Sequence, residues 1–154
     1  RFALGKQKGD RIKPLKDLNS LKLWHVIVAP RITVSTPFIY KKWDELKKRQ
    51  KRAKVRLTLP KYDANILNLA LRKKDFSLTQ EALFNSLQDV TFRLYPELNN
   101  IRASLKKLGL RSFLMSGSGP AVFGIVSSRK EAVFLAEQLK KKGNSWRIFI
   151  ASSV

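Results

Sequence analysis

Apolar residues recur along the chain with two different periods, and the changes of period separate strands from helices. Residues 21–30, LKLWHVIVAP, form a short run rich in β-branched and aromatic side chains, which predicts a buried strand. Three more short apolar runs predict strands at 112–115, 121–126 and 146–151. Two glycines between the middle pair of strands, within residues 116–120, indicate a tight connection.

Elsewhere the apolar residues follow helical spacing. Ile39, Trp43 and Leu46 fall on one stripe of a predicted helix from about Pro37 to Lys51. Pro37 suits its first turn, because an N–H there would have no partner within the helix. Further helices are predicted at 62–71, 79–94 and 98–108, and after a capping box formed by Ser128 and Glu131.

The order of these elements is β, several α, β, β, α, β. That order is typical of the split βαβ or ferredoxin-like arrangement. Residues 21–154 are therefore predicted to form an α+β domain with a four-stranded antiparallel sheet and extra helices inserted after the first strand. Residues 1–20 are polar and interrupted by Gly5, Gly9 and Pro14, so we expect them to be the end of something upstream.

Composition limits the chemistry that the 154 residues can perform. The chain has no cysteine and one histidine, which excludes disulfides, thiolate zinc sites and any scheme that needs two imidazoles. His25 lies inside the first predicted strand and is interpreted as a core residue. Ser116 and Ser118 have no base partner to activate them as nucleophiles. We therefore assign no catalytic residue and no metal site to this chain.

Charge changes the picture more than composition does, because the formal net charge is +21. Residues 1–54 hold 16 of the 32 basic residues and only 4 of the 11 acidic ones. A field of this sign attracts polyanions and anionic substrates. No apolar run approaches the ~20 residues that cross a bilayer, so we expect a soluble, cytoplasmic protein with no membrane partner.

The first predicted helix carries much of this charge. Two interpretations stay open for it: a solvated face, or a nucleic-acid-binding surface on a ferredoxin-like scaffold. Nucleic-acid grooves interleave cations with exposed aromatic residues, whereas Trp43 lies on the apolar stripe and is predicted to be core. The basic residues of this segment are Lys41, Lys42, Lys47, Lys48, Arg49, Lys51, Arg52 and Lys54.

The glycine-containing connection, SGSGP at 116–120, also allows two interpretations. It can be a tight structural turn, or the backbone N–H groups of Gly117, Ser118 and Gly119 can form a nest that holds an anion. It is not a P-loop, because no Gly-Lys-Ser or Gly-Lys-Thr follows. It is not a dinucleotide fingerprint either, because a strand follows it where that motif requires a helix.

Three motifs together resemble one family. The segment 114–124, LMSGSGPAVFG, resembles the third motif of the GHMP kinases. Residues 23–40 and 84–98 resemble the branch of that family that phosphorylates a cytidine-nucleotide-linked polyol in isoprenoid precursor synthesis. The resemblance runs from about Gly5 to the C-terminus and covers only the family's C-terminal half. Where relatives usually carry acids after Asn85, this chain has Ser86 and Gln88.

The resemblance implies a kinase lobe. Residues 21–154 would be the substrate-side domain of an ATP-dependent phosphotransferase, and residues 1–20 the last strand of a missing N-terminal lobe. That lobe, the anionic cytidine-nucleotide-linked polyol and non-specific polyanions are the expected partners. ATP and Mg²⁺ are implied for the full-length enzyme, none is expected on this fragment, and the fragment alone is expected to be inactive.

The resemblance also implies site residues. It places Thr36, Pro37, Tyr40 and Lys41 at the cytidine end of the substrate, with Tyr40 against the base and Lys41 near the diphosphate. The alternative for Tyr40 is that it packs beside Ile39 on the helix. The glycine loop, Gly117, Ser118 and Gly119, would face the phosphates.

Overall fold

The computed structural model describes residues 2–6, 10–52, 64–110, 112–142 and 145–153. Its strands are β1 (Ala3–Lys6), β2 (Arg11–Pro14), β3 (Trp24–Ala29), β4 (Phe113–Met115), β5 (Val122–Val126) and β6 (Arg147–Ser152). Its helices are α1 (Thr36–Arg52), α2 (Ala64–Arg72), α3 (Phe76–Glu81), α4 (Gln88–Leu94), α5 (Leu98–Lys107) and α6 (Arg129–Lys140). A short 3-10 helix, Lys16–Leu18, precedes β3.

Strands β3 to β6 form the central sheet. Its order is β4-β5-β3-β6, and each neighbouring pair is antiparallel. Helices α1 to α5 lie between its first and second strands in the chain, and α6 lies between its third and fourth. This is the predicted ferredoxin-like α+β fold, with extra helices inserted after the first sheet strand.

The main hydrophobic core covers one face of the sheet. Val26 and Val28 of β3 lie at its centre with no exposed surface, because their neighbours on β5 and the helices pack over them. Leu110 fills the space above Gly124, where an added Cβ would meet the Leu110 side chain. The helices contribute Ile39 from α1, Leu98, Ile101 and Leu105 from α5, and Ala132, Leu135 and Leu139 from α6.

A smaller hydrophobic cluster lies beside the other face. Leu15 and Leu18 pack there with Leu23, Leu71 and Ile125. The hairpin β1–β2 pairs Ala3 with Pro14, so the early segment forms two strands and a 3-10 turn against the domain. That residues 1–20 belong to an N-terminal lobe stays a prediction.

The predicted single helix over 79–94 is wrong, because the structure breaks it into α3 and α4. Asp75 caps α3 by accepting a hydrogen bond from the Leu78 N–H. Asn85 then turns the chain, since its side-chain oxygen accepts from the Leu87 N–H at 2.9 Å. The apolar residues that predicted this helix, Leu83, Leu87, Val90 and Leu94, are split accordingly, and Leu94 keeps 39% of its surface exposed.

The other helix predictions agree more closely with the structure. Helix α2 covers most of the predicted 62–71 helix, and residues 62–63 lie outside the described residues. At α6, Ser128 accepts from the Glu131 N–H, but the Glu131 carboxylate accepts from the N–H and hydroxyl of Ser127. Within the described ranges, no helix combines the length and apolar character needed to cross a bilayer.

His25 is half-buried on β3, beside the smaller cluster. Its ring centroid lies 5.8 Å from that of Phe123, with the two planes tilted by 58°. The two residues line a mainly apolar cavity of about 280 Å³ together with Leu4 and Leu67. Burial lowers the pKa of His25 below its usual value, while hydrogen bonds to the backbone of Ala151 and Leu23 act in the opposite direction.

The lowered pKa of His25 makes the stability of the fold depend on pH. Below a pH of about 6.5, the unfolded chain takes up a proton that the folded chain binds less well, so acidification favours unfolding. We expect the free energy of unfolding to fall between about pH 7.5 and 5.5, and His25→Phe to reduce this slope. Urea melts at several pH values measure it, and parallel slopes for the two proteins would contradict the prediction.

Candidate functional site

The N-terminus of α1 lies against the glycine-containing loop. The hydroxyls of Thr36, the first residue of α1, and Ser118 are 2.7 Å apart, which is hydrogen-bonding distance. These residues are separated by 82 positions in the chain. Folding therefore brings the predicted cytidine-end segment and the predicted phosphate-facing loop into direct contact.

The four predicted substrate residues of α1 are all exposed. Thr36 and Tyr40 are four positions apart, as are Pro37 and Lys41, so the two pairs form adjacent rows on the helix surface. Tyr40 keeps 52% of its surface exposed, whereas neighbouring Ile39 is fully buried in the core. The ring of Tyr40 is therefore accessible to a ligand next to Thr36.

The rest of the basic helix α1 differs from the prediction in the burial of its tryptophan and in the partners of its lysines. Trp43 is only half-buried, because it packs against the core while the Lys47 ammonium lies 3.7 Å from its ring centroid. Lys42 donates a hydrogen bond to Glu45 at 2.9 Å, and this bond holds the pKa of Glu45 below its usual value. Lys54 lies outside the described residues.

The loop between β4 and β5 is a tight turn held by its own backbone. Gly119 N–H donates to the Ser116 carbonyl at 2.9 Å, and Ser116 N–H donates to the Ala121 carbonyl at 2.9 Å. Gly117 and Gly119 have φ angles of +55° and +91°, which glycine adopts without a steric penalty. Glycine is therefore the favoured residue at both positions.

Three side chains between α3 and α4, and on α4 itself, fix the loop from one side. Asn85 donates from its amide nitrogen to the carbonyls of Met115 and Gly117, each at 2.7 Å. Two more hydrogen bonds complete the set: Gln88 accepts from the Met115 N–H at 2.8 Å, and Thr91 donates to the Ser118 carbonyl at 3.2 Å. We call Asn85, Gln88 and Thr91 the loop clamp.

The loop clamp sets the direction of the loop's amides. The N–H and C=O of a trans peptide point in opposite directions, so binding the Gly117 carbonyl turns the Ser118 N–H away from Asn85. The Gly119 N–H, counted in the predicted anion nest, is instead used within the turn. Of the predicted nest, the turn therefore leaves the amides of Gly117 and Ser118 for an anion, and the Ser118 N–H faces away from Asn85.

The sequence drew attention to positions 86 and 88 only as departures from the acids usual in relatives. In the structure, the side-chain amide oxygen of Gln88 accepts a hydrogen bond from the Met115 N–H. This oxygen is neutral, but it accepts from a backbone N–H as a carboxylate would. Ser86 is exposed. The clamp itself was missed, although an asparagine that interrupts a helical stripe is a signal for a turn.

The fold and the site thus combine a ferredoxin-like sheet with a glycine turn packed against the N-terminus of α1. The family described as GHMP kinases C terminal matches residues 67–145, and the chain belongs to it. The resemblance found in the motifs is thereby confirmed.

Curated relatives narrow the likeness to one kind of enzyme. The chain is 33% identical over 139 residues to the 4-diphosphocytidyl-2-C-methyl-D-erythritol kinase of Moorella thermoacetica, covering 90% of this chain and 46% of that protein. It is 38% identical over 125 residues to the enzyme of the same name from Shouchella clausii, covering 80% of this chain and 37% of that protein. The chain thus spans less than half the length of these relatives.

Solved structures give the same result. The crystal structure of 4-(cytidine 5'-diphospho)-2C-methyl-D-erythritol kinase matches with a TM-score of 0.68 and 28% identity, over 97% of this chain and 48% of that one. L. major mevalonate kinase in complex with R-mevalonate matches with a TM-score of 0.69 and 19% identity, over 92% of this chain and 45% of that one. The second likeness is one of fold alone. Neither set of comparisons supports a nucleic-acid-binding module.

We expect an alanine to lower the stability of the fold by different amounts at the two loop glycines. A Cβ on Gly119 would lie 2.8 Å from the Met115 sulfur and 3.3 Å from a Thr91 methyl, whereas a Cβ on Gly117 meets nothing within 4 Å. We expect Gly119→Ala to lower the free energy of unfolding by about 2–4 kcal/mol, from positive φ and crowding together. Gly117→Ala should cost only about 1–2 kcal/mol.

Urea denaturation of the two variants beside the wild type measures this difference. Gly117→Ala is the matched control, because it shares the positive φ but not the crowding. Equal losses in the two variants would show that Met115 does not limit the space at Gly119.

Proposed function

We propose that this chain forms the substrate-side half of an ATP-dependent kinase that phosphorylates a hydroxyl of a cytidine-diphosphate-linked polyol. The observation that carries the proposal is the 2.7 Å hydrogen bond between Thr36 and Ser118. It joins the α1 segment that would hold the cytidine to the loop that would face the phosphates. The names of the relatives supply the substrate class.

Most of the proposed contacts use exposed groups on this surface, and one uses the backbone of Ser118, which is only 8% exposed. Tyr40 offers a π-face on which a pyrimidine can stack, with Thr36 and Pro37 beside it. Lys41, one residue further along α1, offers a cation to the diphosphate. The amides of Gly117 and Ser118 offer donors to phosphate oxygens, as loop nests do elsewhere.

The remaining parts of phosphoryl transfer are not assigned to this chain. The described residues include no group of three or more His, Cys, Asp or Glu able to hold a metal ion, so we derive no step through Mg²⁺ here. Transfer depends on positioning ATP and stabilising charge on the transferred group. We propose that a second lobe supplies these groups, that residues 1–20 belong with it, and that the enzyme works in the cytoplasm.

The test is a two-lobe protein made by joining this chain to the N-terminal half of the Moorella thermoacetica relative. We expect it to phosphorylate 4-diphosphocytidyl-2-C-methyl-D-erythritol with ATP, while the chain alone shows no turnover. Turnover by the chain alone would refute the half-enzyme assignment. A folded two-lobe protein that hydrolyses ATP but leaves this substrate unmodified would refute the substrate class.

Tyr40 gives a sharper prediction for the same two-lobe protein. Loss of a stacking platform weakens base binding by about 1–3 kcal/mol, so Tyr40→Ala should raise the KM for the cytidyl substrate roughly tenfold or more. Tyr40→Phe keeps the ring and should stay close to wild type. Steady-state kinetics with saturating ATP measures the change, which should fall on KM rather than on kcat.

Phe38→Ala is the matched control for Tyr40→Ala. Phe38 is also an exposed aromatic residue of α1, with 41% of its surface accessible, but it lies about 160° around the helix from Tyr40. The KM should be unchanged in this variant. An equal rise of KM in both alanine variants would show that the substitutions disturb helix α1 in general. It would contradict a stacking role for Tyr40.

A further inference from the structure

A groove between α4 and α5 lies outside the proposed substrate site. Its volume is about 410 Å³, which falls in the range of roughly 300–1,000 Å³ typical of small-molecule sites. Phe92, only 6% exposed, gives it an apolar floor. The remaining lining residues are Asp89, Arg93, Pro96, Asn99 and Arg102.

Helix α4 separates this groove from the loop clamp. Gln88 and Thr91 point to the glycine loop, whereas Asp89 and Arg93 line the groove. At 100° per residue, the two sets are centred about 150° apart around the helix. A ligand in the groove would therefore bind on another side of α4 from the proposed phosphate-facing loop.

The two arginines of the groove are exposed and lack an acidic partner. Among the described residues, the ion pairs closer than 4.0 Å are Lys42 with Glu45 and Arg72 with Asp17, so neither Arg93 nor Arg102 takes part in one. They line the groove from different helices, Arg93 from α4 and Arg102 from α5. Their planar guanidinium groups can donate two hydrogen bonds each to a phosphate.

Neutral and acidic groups complete the lining. Asn99 donates to the Phe92 carbonyl at 3.4 Å, which holds its amide at the turn between the helices and leaves its oxygen available. Asp89 also lines the groove, and its carboxylate can only accept hydrogen bonds when ionised. A simple anion would be repelled by Asp89, whereas a ligand with hydroxyl groups could donate to it.

We infer that this groove binds a small phosphate ester that carries hydroxyl groups. Arg93 and Arg102 bind the phosphate, Asp89 accepts from a hydroxyl, and the carbon skeleton lies over Phe92 and Pro96. This inference stands independently of the proposed kinase function, because it uses none of the residues assigned to that site.

Two probes of equal carbon skeleton test the inference: glycerol 3-phosphate, which has two hydroxyls, and propyl phosphate, which has none. Calorimetric titration of the protein should show tighter binding of glycerol 3-phosphate. Amide chemical-shift mapping should place its effects at residues 89–102 and not at 116–119. Shifts centred on the glycine loop would overturn the location.

Two double variants distinguish specific binding at the groove from non-specific attraction by the net charge of +21. Arg93→Gln with Arg102→Gln should weaken both probes by about tenfold or more, since charge-assisted hydrogen bonds are lost. Lys140→Gln with Lys141→Gln removes the same charge from the end of α6 and should leave binding unchanged. Equal losses in the two double variants would show non-specific attraction and overturn the inference.

Asp89→Asn tests the hydroxyl contact. It should narrow the preference for glycerol 3-phosphate over propyl phosphate, because the amide offers a weaker acceptor than the carboxylate. Asp89, Arg93 and Arg102 are all exposed, so these substitutions should leave the thermal melting temperature unchanged and the fold intact. An unchanged preference in Asp89→Asn would refute the role of the carboxylate.

Discussion

The hydrogen bonds of Asn85 to the loop carbonyls are the interaction on which the site depends. A loop with two residues at positive φ has its carbonyls turned out of any strand ladder, so they need other partners. Asn85 binds the carbonyl of Gly117 together with that of Met115 at the end of β4, and Thr91 binds that of Ser118. These side chains belong to the helical segment inserted between β3 and β4. That segment therefore determines the direction in which the Ser118 amide of the loop points.

Much of the fold could be predicted from the sequence, because local signals and burial agree in the sheet and in α1, α5 and α6. The helix prediction failed where a side chain forms hydrogen bonds with residues far away in the sequence. The stripe through Leu83 and Leu94 favoured one helix, but Asn85 breaks it to reach Met115 and Gly117, about 30 positions away. Nothing local reveals the position of that partner. The pairing of β1 with β2 was missed because each strand has four residues and all four residues of β2 are exposed.

The candidate site rests on a different kind of signal in the sequence. Thr36, Tyr40 and the glycine loop were singled out by a resemblance of motifs, and the contact of Thr36 with Ser118 across 82 positions is a consequence of the fold rather than of any local pattern. The anion nest was overestimated because the residue types show which amides exist but not which are already bonded. Gly119 illustrates this, since its N–H closes the turn.

The exposure of the proposed site has a further consequence. Phosphoryl transfer requires water to be excluded from the reacting groups, and small-molecule sites bury about 70–90% of their ligand. Tyr40 is 52% exposed, and Thr36, Pro37, Lys41 and Gly117 are exposed around it. A ligand lying on this surface would keep much of its area in water, so the proposed function requires a second surface to close over it before chemistry can occur. The exposure of these residues thus supports the proposal of a second lobe by an argument that does not depend on the relatives' length.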